Sequence, residues 1–270
     1  MSNESAIFSN DYLQRFGGIA RLYGLKNLQK IHQAHITIVG IGGVGSWAAE
    51  SLARSGVGKI KLIDLDDICI TNTNRQIHAH TQSIGQMKVE AMATRLKTIN
   101  PEIKIEESLA FYTEKNAEKL ISPEKTNLVI DAIDSTRPKL HLLSYCRKNK
   151  IPIVCSGGAG GRIDATKIQI DDLAKTHGDA LLSSIRTKLR TDHGFPKSQE
   201  GKKLKKFKIP TIFSTEAPRF PTCDGEISLD KSQLSPPLIN CNSGYGAITH
   251  ITAIFGLMLA QLALEEITKN

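Results

Sequence analysis

His35-Ile-Thr-Ile-Val39, the turn Gly40-Ile-Gly-Gly-Val-Gly45 and an apolar-periodic run from Val44 to Ser55 place a strand, a glycine turn and a helix in immediate succession. That order confines the chain to folds in which a buried parallel strand feeds a helix through a tight turn. Gly56 and Gly58 end the helix, and Lys59 to Asp64 supplies the second strand of a βαβ unit. Gly40 permits the turn, Gly42 lets backbone approach a phosphate, Gly45 lets the helix pack close to its strand, and Gly43 is counted with them as a cofactor-binding residue. The helix start offers free amides to an anion.

The alternation continues. A helix is predicted over 11–33, with Leu22, Leu25 and Leu28 at helical spacing, then a loop over 65–83 and a helix over 85–98 stopped by Asn100-Pro101. Strands over 103–109, 127–131 and 151–155 alternate with helices over 113–121 and 138–148. The class is therefore α/β: a Rossmann-like, doubly wound, mostly parallel sheet with helices on both faces and a C-terminal extension. Residues 1–270 read as one domain, with a nucleotide-binding core over 11–161 and a substrate-binding and helical extension over 162–270. In that extension, strands are expected over 162–170 and 211–214, a helix over 180–189 and a long loop over 218–237. The last element, 245–267, is almost uncharged until Glu265 yet contains Thr249, His250, Thr252 and Gln261. It reads as a buried helix or a subunit interface, with a membrane-associated tail as the alternative.

The polar start, Met1 to Asn10, has no secretory or lipidation pattern, which points to a cytoplasmic protein. Cys69, Cys146, Cys155, Cys223 and Cys241 are an odd number without a Cys-x-x-Cys pair, which argues against disulfides and a zinc knuckle. Only Cys223 and Cys241 lie in contexts that suggest thiol chemistry. Most of the +8 net charge falls in one segment. Arg186, Lys188, Arg190, Lys197, Lys202, Lys203, Lys205, Lys206 and Lys208 are offset only by Asp192 and Glu200. Such a run is either a solvated loop or a surface that tracks nucleic-acid phosphates.

The residues after the glycine turn narrow the ligand. Asp64, at the end of the second strand, is placed to accept hydrogen bonds from ribose hydroxyls, and Asp66 either shares that role or stabilises the following turn. A dinucleotide site needs little more. Asn72-Thr-Asn-Arg75-Gln76 and Lys88 add polar groups and cations suited to a triphosphate and to charge developing on a leaving pyrophosphate. Asp131 and Asp134 sit at the carboxyl edge of the sheet, where Asp134 is a candidate magnesium ligand beside a phosphate chain. Asp134-Ser135 is equally readable as a helix N-cap.

Together, Arg15-Phe16, the Gly40–Gly45 loop, Asp64-Leu-Asp66, Asn72-x-x-Arg75-Gln76, Lys88 and Asp131-x-x-Asp134 resemble the ubiquitin-activating-enzyme-like superfamily of adenylyltransferases. The resemblance implies ATP and Mg2+ as cofactors, adenylation of a carboxylate and release of pyrophosphate. It assigns the ribose to Asp64, the phosphates to Asn72, Arg75 and Lys88, and the metal and reacting phosphate to Asp134. Arg75, Lys88 and Asp134 are the expected catalytic groups. It also implies a homodimer in which Arg15 or Arg21 reaches the partner's nucleotide.

Arg15-Phe-Gly-Gly-Ile-Ala-Arg-Leu-Tyr-Gly24, His193-Gly-Phe-Pro196, Ser214-Thr-Glu-x-Pro218 and Asn242-Ser-Gly-Tyr-Gly246 extend the likeness to the branch acting on threonylcarbamoyladenosine in tRNA. That branch implies ATP-dependent cyclisation of the modified base, with the basic segment as the tRNA surface and a sulfurtransferase-system protein as a further partner. The rivals are an adenylyltransferase for a ubiquitin-like sulfur carrier, an NAD-dependent oxidoreductase, and a nucleic-acid-binding protein with an inactive nucleotide site. The absence of paired zinc cysteines speaks against the first. Arg75, Lys88 and Asp134 would have no common purpose in the second.

Overall fold

The computed structural model describes residues 8–197, 201, 204–222, 225–230 and 245–269. Its strands are β1 (His35–Val39), β2 (Lys59–Asp64), β3 (Lys104–Leu109), β4 (Leu128–Asp131), β5 (Ile153–Ser156), β6 (Ile168–Asp172), β7 (Pro210–Ser214), β8 (Phe220–Pro221) and β9 (Ile227–Ser228). The helices are α1 (Asn10–Tyr23), α2 (Leu25–Gln33), α3 (Gly45–Arg54), α4 (Lys88–Ile99), α5 (Ala117–Leu120), α6 (Thr136–Lys148), α7 (Ala180–Asp192) and α8 (Thr249–Thr268).

Seven strands form one sheet in the order β3-β2-β1-β4-β5-β7-β6. Every pairing is parallel except β6 with β7. The chain leaves β1 in one direction and returns beyond it at β4, so their carboxyl ends splay apart and open a crevice. β1 and β4 are buried along their whole length, which is why they read as continuous apolar runs without alternation. Ile36, Ile38, Leu128 and Ile130 face one core layer with α3, α4 and α8; Val39 and Val129 face the other, with α6 and α7. The sheet crosses residue 161 without interruption, since β6 and β7 extend it beyond β5.

Several local expectations change. The predicted helix over 11–33 is two helices, because Gly24 adopts φ 80° and closes α1 through its N–H to the Ala20 carbonyl at 2.8 Å. Leu22 and Leu25 flank that corner and are 80% and 58% exposed, whereas Leu28 is buried with Tyr12 and Phe16. The helix expected from Gly85 starts at Lys88, since Gly85 sits in a turn at φ 84°. The edge strand spans Ile168–Asp172 and not 162–170: Glu216 engages the Ile163 and Asp164 N–H groups, at 3.0 and 2.9 Å, and keeps them from a ladder. The 218–237 loop contains the short β8–β9 pair.

α8 is long and apolar enough to span a membrane, but in this fold it lies against α3 and the sheet with ten of its residues buried. Gly256 makes the approach possible, since a Cβ there would stand 2.4 Å from the Val44 carbonyl oxygen.

Candidate active site

The crevice is a cleft of about 980 Å³ at the carboxyl ends of β1, β2 and β4. Gly40, Gly42, Gly43, Asp64, Asp66, Asn72, Arg75, Gln76, Lys88 and Asp134 all line it. Residues 94 positions apart in sequence thus converge because the sheet topology brings their strand ends together.

The glycine turn is shaped by close backbone contacts. Gly40 has φ 91°, and a Cβ on Gly45 would lie 1.8 Å from the Gly40 carbonyl oxygen. Gly45 therefore serves helix packing and is absent from the cleft lining. Asp64 accepts from Ile41 N–H at 2.6 Å and Asp66 N–H at 2.9 Å, so one carboxylate fixes both the glycine turn and its own loop. Its lone pairs exceed these two bonds, leaving acceptor capacity for a ribose.

Across the cleft floor, Lys88 at the start of α4 is pinned by Asp66 at 2.7 Å, with the lysine side chain 8% exposed. Asp66 thus orients a cation, a role outside both sequence readings, ribose binding and stabilisation of the following turn. Arg75 donates through Nη1 to the Thr71 carbonyl at 2.9 Å and Asn74 Oδ1 at 3.0 Å. Its Nη2 and Nε bond to none of the described residues. Asn72 turns its side-chain oxygen to the Cys69 N–H, at 3.0 Å, and so caps the turn that carries Arg75. Gln76 is buried, with Oε1 unpartnered among the described residues.

The two acids at the carboxyl end of β4 separate. Asp134 is exposed in the cleft and pairs with none of the described residues. Asp131, expected beside the nucleotide, is instead fully buried behind the wall and bonded to Lys139 at 2.8 Å. Burial alone would lower Lys139, but Asp131 outweighs it and holds the lysine above its ordinary value. The N-cap of α6 is Ser135, without a side-chain capping bond.

Magnesium needs few protein ligands when phosphates supply the rest. Asp134, an exposed carboxylate that lines the same cleft as Lys88 and Arg75, is a donor of the type that fits that arrangement.

Other cleft residues were not singled out by the sequence motifs. Arg137 adds a cation at the start of α6, and His141 one turn further along that helix meets the Tyr112 hydroxyl through Nδ1 at 3.0 Å. Desolvation lowers the His141 pKa and favours the neutral ring. Trp47 and Thr252 both reach the Arg75 carbonyl, at 3.1 and 3.2 Å, and tie the Arg75 loop to α3 and α8. Hydroxyls in an otherwise apolar helix were the available signal for Thr252.

Arg15 and Arg21 lie on α1, outside this cleft; Arg15 pairs with Asp11 at 2.8 Å on the surface. In the basic segment, Lys188, Lys197, Lys205, Lys206 and Lys208 are exposed. Arg186 instead bonds Thr176 at 2.7 Å, and the Arg190 guanidinium lies 5.2 Å from the Phe207 ring centre. Asp172 accepts the backbone N–H groups of Phe207, Lys208 and Ile209 at 2.7, 2.7 and 3.2 Å, fixing the segment to the sheet edge. α7 packs on α6, which begins at the cleft, and Phe195 and Phe207 of the basic segment join the same core layer. Lys202, Lys203, Cys223, Cys241 and the 242–244 part of the closing motif fall outside the described residues. Cys146 and Cys155 are buried thiols pushed well above their ordinary value by desolvation.

The fold and cleft define a nucleotide-binding, doubly wound α/β protein with an acid and cations arranged for a phosphate chain. The chain belongs to the ThiF family, which matches residues 17–270. It is 49% identical over 263 residues to the tRNA threonylcarbamoyladenosine dehydratase of Escherichia coli (strain K12), covering 97% of this chain and 96% of that protein. Among solved structures it is similar to TcdA (CsdL), with a TM-score of 0.87, 48% identity and 97% of each chain covered. It is also similar to the E. coli dehydratase TcdA in complex with ATP, with a TM-score of 0.82, 47% identity and 96% of each chain covered.

Proposed function

We propose that this protein is an ATP-dependent tRNA threonylcarbamoyladenosine dehydratase that cyclises the modified base to its hydantoin form through an acyl adenylate. The supporting observation is the convergence of Gly42, Asp64, Arg75, Lys88 and Asp134 on one cleft, in a chain similar from end to end to enzymes of that name.

The substrate side chain carries a carboxylate, a poor electrophile because its oxygen leaves badly. Attack of that oxygen on the α-phosphorus of ATP forms the mixed anhydride and expels pyrophosphate. A ureido nitrogen of the same side chain then attacks the activated carbonyl carbon, loses its proton, and closes a five-membered ring as AMP leaves. The nucleophile is already attached to the electrophile, which gives a high effective concentration without an enzyme nucleophile. The buried thiols therefore have no required part.

Asp64 holds the ribose, while Asn72, Arg75, Gln76 and Lys88 receive the phosphates, whose negative charge Arg75 and Lys88 balance as pyrophosphate departs. Asp134 would be the protein ligand of magnesium, which would supply charge screening of the phosphate oxygens and raise the electrophilicity of the α-phosphorus. The exposed lysines of the basic segment carry the tRNA backbone. The working form is a cytoplasmic homodimer in which Arg15 or Arg21 reaches the partner's nucleotide. With α8 packed into the fold, a peripheral membrane role for that helix is not favoured.

Pyrophosphate release tests the reading. It should require magnesium ATP and respond to tRNA carrying threonylcarbamoyladenosine, but not to the same tRNA lacking the modification. Release driven equally by a ubiquitin-like sulfur carrier would redirect the assignment to protein adenylation.

A further inference from the structure

Lys139 is fully buried on α6, as is its partner Asp131 at the end of β4. An ion pair in this position is costly, because both charges leave water, and a well-packed apolar pair would serve the core as well. What distinguishes this pair is its grip on the backbone between the two acids. Lys139 Nζ donates to Asp131 Oδ2 and to the Ile133 carbonyl, each at 2.8 Å. Asp131 Oδ1 accepts from the Ile133 N–H at 3.1 Å. Both polar groups of Ile133 are thus held by the pair, and the next residue is Asp134.

The same short loop touches the glycine turn. The Ala132 N–H reaches the Val39 carbonyl at 3.0 Å, and a Cβ on Gly40 would meet the Ala132 carbonyl oxygen at 2.9 Å. A shift at Ile133 would therefore alter the spacing between Asp134 and the glycine turn.

We propose that Lys139, with Asp131, is a positioning residue for adenylation: the buried pair clamps Ile133 and thereby fixes where the Asp134 carboxylate stands in the cleft. This rests on the assignment of Asp134 to magnesium and the reacting phosphate.

Lys139→Met alone strands a buried carboxylate and risks unfolding. The informative variant is Asp131→Asn with Lys139→Met, which is neutral and leaves an amide oxygen at position 131 for the Ile133 N–H. Fold retention is checked by circular dichroism and thermal melting. The readout is ATP–pyrophosphate exchange with modified tRNA across a magnesium titration, repeated in an Asp134→Asn background as a double-mutant cycle. The folded paired variant should lose about tenfold or more in exchange and need more magnesium for half-saturation, with tRNA affinity within about twofold of wild type. In the Asp134→Asn background the same change should cost less than about twofold, since the group it positions is already gone. A folded paired variant with wild-type exchange overturns the clamp alone. So does a loss that multiplies in full with that of Asp134→Asn, which would mean the pair acts elsewhere. Wild-type exchange in Asp134→Asn itself overturns the Asp134 assignment, and the clamp with it.

Discussion

Asp131 and Asp134 are three residues apart and occupy different chemical worlds, one sealed on Lys139 and the other open to the cleft. Their substitutions should separate accordingly. Asp134→Ala should lower pyrophosphate exchange by about 100-fold, while its unfolding free energy stays within about 0.5 kcal/mol of wild type, as for other exposed sites. Asp131→Ala should instead cost about 3–5 kcal/mol in denaturant unfolding, because it leaves a buried ammonium unpaired. The reverse pattern would contradict the placement of both acids. The Asp-x-x-Asp spacing locates both at a strand end but does not say which side chain turns inward. That choice is made by Lys139 on the next helix, whose burial has no local sequence signature. The glycines were more legible: Gly40 and Gly45 obey backbone geometry that acts over a few residues, and their close contacts agree with the roles read from the motif.

At the scale of elements, α8 joins the C-terminal part of the chain to the nucleotide cleft. Gly256 lets it lie against α3, and Thr252 reaches the Arg75 carbonyl. Gly256→Ala should destabilise the fold by about 1–3 kcal/mol, the range for overpacking against fixed backbone, measurable in urea melts. A neutral result would mean that the two helices separate more easily than this packing allows. The alternation of β1 to β5 with helices was legible because buried parallel strands leave long apolar runs between glycine and proline punctuation. The break at Gly24 and the start of β6 were not. Both depend on where backbone N–H groups find partners, and Glu216 lies more than fifty residues from the amides it holds.

Across the whole molecule, charge and cleft lie in connected layers. The basic run reads in sequence as either a solvated loop or a phosphate-tracking surface, and only the fold separates its exposed lysines from arginines spent on Thr176 and Phe207. Replacing Lys205, Lys206 and Lys208 with alanine should weaken tRNA binding and reduce its log–log salt slope by about 0.7–0.9 per lost phosphate contact. An unchanged slope would remove this face from the tRNA surface. The chemical fate of the modified base distinguishes cyclisation from every other outcome of carboxylate activation. Purified protein, magnesium ATP and tRNA carrying threonylcarbamoyladenosine are incubated, the tRNA is digested, and the nucleosides are weighed. An ATP-dependent loss of about 18 Da, one water, is expected from that nucleoside alone. An unchanged mass from active, ATP-binding protein on fully modified tRNA would contradict it.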